Sequence, residues 1–190
     1  VFQVSLIPSL MQSNEELQYI DTYYSEGKDQ YLFARIQQNV LSTSVRLNLT
    51  LLPNLNIQYW GQPFVASGKY SHYKLITDPK AASFDRRYEN LSNTQLIYDQ
   101  DNRIFFIDKN TDGTPEYNYE LPEFNIKQFR SNLVIKWEYI PGSYLYLVWS
   151  QSRDRLDPIG VFMPGKDLVN LFSKKPHNVW LIKFSYRFSL

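Results

Sequence analysis

The last eleven residues, Trp180-Leu-Ile-Lys-Phe-Ser-Tyr-Arg-Phe-Ser-Leu190, alternate in character. Trp180, Ile182, Phe184, Tyr186, Phe188 and Leu190 are apolar or aromatic, and the residues between them are mostly polar. A period of two places successive side chains on opposite faces of an extended chain, so this stretch reads as a strand with one apolar and one wet face. The same pattern fills 41–51, where Leu41, Thr43, Val45, Leu47, Leu49 and Leu51 interleave with Ser42, Ser44, Arg46, Asn48 and Thr50. A face of Ser, Arg, Asn and Thr cannot enter a dry core unpaired, so it meets water.

Turns join such strands in pairs. Leu52-Pro53-Asn54 leads into a strand with Leu55, Ile57 and Tyr59 opposite Asn56, Gln58 and Trp60. In a second hairpin Phe129, Leu133, Ile135, Trp137 and Tyr139 oppose Arg130, Asn132, Lys136 and Glu138, with Val134 the exception on the polar side. That chain turns at Pro141-Gly142-Ser143 and returns through 144–153, both turns having residues suited to tight reversals. Strands are expected at 1–7, 16–23, 30–38, 40–51, 55–65, near 103–108, and at 126–140, 143–153 and 178–189. Residues 66–125 read as polar and loop-like, with short strand candidates at Leu96–Tyr98 and Ile104–Ile107. A second excursion covers 154–178, with Asp167–Phe172 as its helical candidate. Pro63 is placed at the loop end of its strand, where pairing can stop.

Short turns at one end and long loops at the other are the asymmetry of outer-membrane barrels. The expected fold class is all-β: an antiparallel transmembrane β-barrel, or the C-terminal part of a larger one, filling 1–190 as a piece of a longer chain. Val45, Leu47, Leu49, Leu133, Ile135, Ile182 and Phe184 would then face lipid. Arg46, Asn48, Arg130, Asn132, Lys136, Lys183 and Arg187 would face the lumen. A mean hydropathy of −0.42 is no obstacle, because only every second residue of such a strand meets lipid. No run approaches the roughly 18 apolar residues of a spanning helix. A formal net charge of +1 gives no pull toward nucleic acid, and the absence of Cys excludes disulfides and thiol chemistry.

Three segments carry a family resemblance: Asn56-Ile-Gln-Tyr-Trp-Gly-Gln-Pro-Phe64, the run from Pro122 to Trp149 with its Trp137-Glu-Tyr-Ile-Pro-Gly-Ser143 block, and Lys183-Phe-Ser-Tyr-Arg-Phe188. Over most of 17–188 the chain resembles the C-terminal domain of a Bacteroidota family of unknown function, whose members typically carry a carbohydrate-binding-like (family 9) sandwich before a barrel-like region. The resemblance implies an outer-membrane location and a barrel, with no reaction to carry over. It departs from the pattern in lacking the sandwich and in having two residues after Phe188, where an aromatic often ends such barrels.

One motif is ligand-like. Asp108-Lys-Asn-Thr-Asp-Gly113 offers oxygen side chains at positions 1, 3 and 5 and the glycine of a sharp turn, and Glu116 falls at position 9. Position 12 is Tyr119, with Glu120 one residue late, which excludes an EF-hand. A shorter calcium loop of Asp108, Asn110, Asp112, Glu116 and Glu120 is the one metal site expected. The alternative is a polar hairpin tip in which Asn110, Asp112 and Gly113 supply turn chemistry. His72 and His177 sit in loop-like segments without a second histidine at metal spacing, and no catalytic residue is assigned.

The expected function is that of a non-enzymatic outer-membrane domain, an anchor or pore. Its partners would be membrane lipid, upstream strands or other outer-membrane proteins, and a glycan or protein met by the long loops. The rival is a soluble extracellular sandwich or barrel that binds or processes carbohydrate. Tyr139, Tyr144, Trp149 and Trp180 serve either reading, as interfacial girdle or as sugar platforms.

Overall fold

The computed structural model describes residues 1–188. In chain order it contains β1 (Phe2–Ser25), β2 (Lys28–Leu52), β3 (Leu55–Ile76), β4 (Tyr88–Asn90), β5 (Leu96–Asp99), β6 (Ile104–Ile107), β7 (Tyr117–Glu120), β8 (Phe124–Ile140), β9 (Ser143–Asp157), α1 (Pro164–Phe172) and β10 (His177–Ser185). The fold is all-β with one short helix. The main sheet runs β1-β2-β3-β8-β9-β10, antiparallel throughout, with β4 added to β3, and β5-β6-β7 form a second, small sheet.

The strands are longer than the sequence suggests. The segments expected at 1–7 and 16–23 are one 24-residue strand, and those at 30–38 and 40–51 are one of 25 residues. At about 3.3 Å per residue β2 reaches roughly 80 Å. Two irregularities absorb extra residues of β1, between Glu15 and Gln18 and between Tyr19 and Asp21. Another lies in β3 around His72, whose φ of 52° is a bulge conformation. β2 itself stays in phase as far as Thr50, so up to there its even-numbered side chains keep to one face.

Proline explains where pairing pauses. Pro8 sits in β1, which pairs on one side only. Pro63 does not end its strand, as the sequence led us to expect. The β2–β3 register jumps from Ser42↔Phe64 to Val45↔Gly61, so the ladder skips Gln62 and Pro63 while β8 supports the other side through Pro63↔Phe129. β3 then continues to Ile76, which removes 66–76 from the region read as loop.

The β8–β9 reversal accounts for the Trp137–Ser143 block. Gly142, at φ 80°, follows Pro141 as a type II turn requires. Glu138 Oε1 accepts the Gly142 N–H at 2.8 Å, Ser143 Oγ accepts from Arg187 N at 3.0 Å, and the Tyr139 hydroxyl donates to Ser185 O at 3.2 Å. At the opposite end β1 and β2 are joined by Glu26-Gly27 with φ of 54° and 77°, the paired positive values of a type I′ hairpin. One reversal at that end is therefore short, and the two long ones are 77–123 and 158–176.

The buried core lies at the long-loop end. Tyr23, Leu32, Ala34, Tyr73 and Leu75 of the main sheet pack against Leu91, Ile107 and Tyr119, with Phe105 and Tyr117 alongside. Tyr23 stacks on Tyr117 at 4.5 Å between ring centroids, and Phe105 on Tyr119 at 5.5 Å. Away from this end the sheet is a single layer. Among the described residues β1 pairs with β2 alone and β10 with β9 alone, so the sheet has two open edges and no closed barrel forms. The strand expected at 178–189 runs from His177 to Ser185, and residue 189 lies outside the described residues.

Candidate functional site

Register converts the alternation of separate strands into continuous surfaces. Phe2, Val4 and Leu6 lie opposite Leu49, Leu47 and Val45, and Leu49 and Leu47 lie opposite Ile57 and Tyr59. Ile57 and Tyr59 face Ile135 and Leu133, which face Leu147 and Trp149, which face Ile182 and Trp180. One apolar face therefore crosses all six strands. It is uncovered: Phe2 is 66% exposed, Leu6 63%, Ile182 72% and Phe184 66%.

Aromatic residues sit at both limits of this surface. Trp149 and Trp180 stack at 5.3 Å on the long-loop side, and Tyr139 stacks on Phe184 at 5.4 Å beside Trp137 on the short-turn side. Trp149 Nε1 donates to Asn178 Oδ1 at 2.9 Å, so its ring is apolar below and anchored to a polar group above.

The other face carries Arg46, Asn48, Gln58, Trp60, Arg130, Asn132, Lys136 and Lys183, grouped as expected, while Arg187 falls beyond the end of β10. Each contact compensates part of the cost of these groups. Trp60 Nε1 donates to Ser44 Oγ at 3.0 Å, and Thr50 Oγ1 to Asn56 Oδ1 at 2.8 Å. Arg130 grips Asp154 through two hydrogen bonds of 2.7 and 2.8 Å. The ammonium of Lys136 lies 4.5 Å from the centre of the Tyr144 ring, and that of Lys183 lies 5.7 Å from Tyr146. Glu138 holds the Gly142 amide.

The Asp108 loop is organised by its own backbone. Asp108 is buried, and its two oxygens accept from Asp112 N at 3.1 Å and Gly113 N at 2.8 Å. Asn110 Oδ1 also accepts from Asp112 N at 3.0 Å, Asp112 Oδ1 from Thr114 N at 2.8 Å, and Glu116 Oε2 from Lys109 N at 2.8 Å. Glu120 ends β7, opposite Ile104. Among the described residues no three His, Asp or Glu side chains converge as a metal would require.

A cluster that sequence reading missed lies under α1. Lys127 is 2% exposed in its side chain, ion-paired to Asp157 and, at 3.1 Å, to Asp167. Asn125 Nδ2 donates to Val161 O at 2.7 Å and Asp167 Oδ1 at 3.2 Å, and Arg155 Nε to Asp157 at 2.9 Å. Lys127 holds the Asp157 carboxyl below the usual carboxylate range, with Arg155 assisting against the opposing effect of burial. Asp167 also accepts from Met163 N at 2.9 Å, closing the first turn of α1 behind Pro164. A cleft of about 420 Å³ opens beside these residues. The signal for it was present: Lys127 stands in the register of Phe129, Leu133 and Ile135, where a lone charge demands a partner from another element.

In the core, burial raises the Tyr23 hydroxyl to about 12, and the hydrogen bond to Asp21 raises that of Tyr117 to about 12. Burial also raises Tyr73 and Tyr119. These groups are neutral packing elements. Comparison with protein-family models, curated proteins and solved structures gives no match for this chain.

Proposed function

We propose that this chain is a wall of an outer-membrane β-barrel, with its continuous apolar face against lipid and its polar face toward the lumen. The observation that carries the reading is the pairing of those two faces over the same six strands. A sheet with an uncovered apolar face of this extent and two open edges has no stable form in water as a single layer. A bilayer covers the face, and further strands pairing along β1 and β10 remove the edges. Aromatic residues at both limits of the face fit the two interfacial girdles.

The small β5–β7 sheet packs on the side of Leu32 and Ala34, the same phase of β2 as Arg46. In this reading it sits over the mouth of the lumen, which favours an anchor presenting an ordered lobe over an open pore. The resemblance carried by the Trp137–Ser143 block implies an outer-membrane location and a barrel, and says nothing on anchor or pore. A soluble carbohydrate-binding sandwich would need a second sheet over the apolar face, and among the described residues only α1 lies on that side, at the long-loop end.

Flotation with phospholipid vesicles tests the proposal. The wild type is expected to float and to need detergent for extraction, and Leu47→Glu/Ile135→Glu to stay in the aqueous fraction. A wild-type monomer that remains dispersed without detergent would refute it.

A further inference from the structure

Helix α1 lies on the apolar side of the sheet, above the Leu133, Trp149 and Trp180 row, and it is fixed there at three points. Its first turn is tied to Lys127 and Asn125 through Asp167. Its last turn stacks Phe172 on Phe129 at 5.0 Å. Arg153 Nη1 donates to the carbonyls of Phe172 and, at 2.8 Å, Lys174, which satisfies the C-terminus. Leu171 is fully buried. With Asp167 and Leu171 held inward, the helix cannot turn over.

What this leaves outward is apolar. Val169 is 70% exposed, Phe172 44% and Met163 47%, with Ile159 at 58% just before the helix. Lys166, Val169 and Phe172 follow one another at three-residue steps along one stripe. Lys174 and Lys175 come directly after, and no ion pair among the described residues engages Lys166, Lys174 or Lys175. The nearby carboxylates are taken: Asp154 by Arg130, and Asp157 and Asp167 by Lys127. An outward surface of apolar side chains with three uncompensated cations matches the boundary between lipid headgroups and acyl chains.

Height agrees with this. Phe129 stands four residues beyond Leu133 along β8, about 13 Å at 3.3–3.4 Å per residue. A strand tilt of roughly 40° brings that to about 10 Å along the membrane normal, close to headgroup depth above the tryptophan row.

We propose that α1 is an interfacial foot: Met163, Val169 and Phe172 enter the headgroup–acyl boundary, and Lys166, Lys174 and Lys175 bind lipid phosphates. This rests on the membrane reading of the apolar face. It adds that the 158–176 loop is held down on the bilayer instead of extending away from it.

The chain has no cysteine, so single nitroxide labels report position directly. Labels at Ile182→Cys, Val169→Cys and Thr114→Cys are compared in vesicles of phosphatidylcholine and phosphatidylglycerol, using collision with oxygen and with a water-soluble nickel chelate. The expected order of depth is Ile182 in the acyl region, Val169 at the boundary and Thr114 in water. Lys166→Glu/Lys174→Glu/Lys175→Glu should shift the Val169 label toward water and leave Ile182 unmoved. A Val169 label as water-exposed as Thr114, with Ile182 still in lipid, overturns the foot alone. An Ile182 label in water overturns the membrane reading and the foot with it.

Discussion

Ile135 is the position at which the two-faced sheet can be tested most sharply. Its lateral neighbours are Ile57 and Leu147, and its strand neighbours on the same face are Leu133 and Trp137, so it lies near the centre of the apolar surface. Against lipid, Ile135→Lys is expected to cost about 2–4 kcal/mol, the penalty for a lysine at the bilayer midplane of a barrel. At 1.4 kcal/mol per factor of ten this is roughly 30- to 700-fold in the folding equilibrium. Two controls fix the meaning of that number. Asn132→Lys adds the same charge on the polar face, three residues away, and Leu51→Lys adds it at the turn end of the apolar series, where the side chain is half exposed. Each is expected to cost no more than about 1 kcal/mol, the second because the penalty falls toward the interface.

Urea titrations of refolding into phosphatidylcholine vesicles, followed by tryptophan fluorescence, give the three differences at constant slope. If the apolar face instead met water, Ile135→Lys would fall within about 0.5 kcal/mol of wild type, as exposed substitutions do. Equal costs for Ile135→Lys and Asn132→Lys would refute the assignment of faces. A larger cost for Asn132→Lys would reverse it.

Lys127→Met strips the cation from between Asp157 and Asp167, and is expected to cost about 3–5 kcal/mol and to make 158–176 protease-sensitive; unchanged protection would show that the pair does not hold α1. Because Lys127 lowers the Asp157 carboxyl, that pair's contribution is complete above the unfolded carboxylate value near 4 and fades as pH falls through the lower folded value, so proteolysis of the same loop should rise only under acid conditions. Tyr23 and Tyr117 are shifted the opposite way, to about 12, so the stability they supply is complete below about pH 10 and is lost between 10 and 12. Spectrophotometric titration should show these two tyrosines, together with Tyr73 and Tyr119, ionising late, and a uniform transition near 10 would contradict their packing. Asp108→Ala is expected to destabilise the β5–β7 lobe by about 1–3 kcal/mol with or without calcium, since it leaves the Asp112 and Gly113 amides unpaired. A stability gain from calcium that disappears in this variant would restore the metal loop.

What could be read in the sequence was whatever repeats with a period of two. Leu41–Leu51, Phe129–Tyr139 and Trp180–Phe184 needed no partner to reveal their faces, and the register then placed Val45, Leu47, Leu49, Leu133, Ile135, Ile182 and Phe184 on one surface. Elsewhere the reading failed: Pro8 and the polar run Gln12–Glu15 hid the middle of β1, whose ladder is regular there, and the bulge near His72 reverses the phase of β3 so that its end reads as a loop. The Asp108 loop is ambiguous in another way: calcium loops and Asx turns use the same residues at the same spacing, and they differ only in whether the oxygens point at a common centre or at successive amides. The Lys127 cluster was hidden for a third reason. Its members are 30 and 40 residues apart, and nothing local marks Asp157 or Asp167. Yet Lys127 was itself an anomaly, a charge in an apolar register, and such a residue implies a buried partner from elsewhere as surely as alternation implies a face. Read in that way, the exception locates the helix, and the helix locates the loop against the apolar side of the sheet.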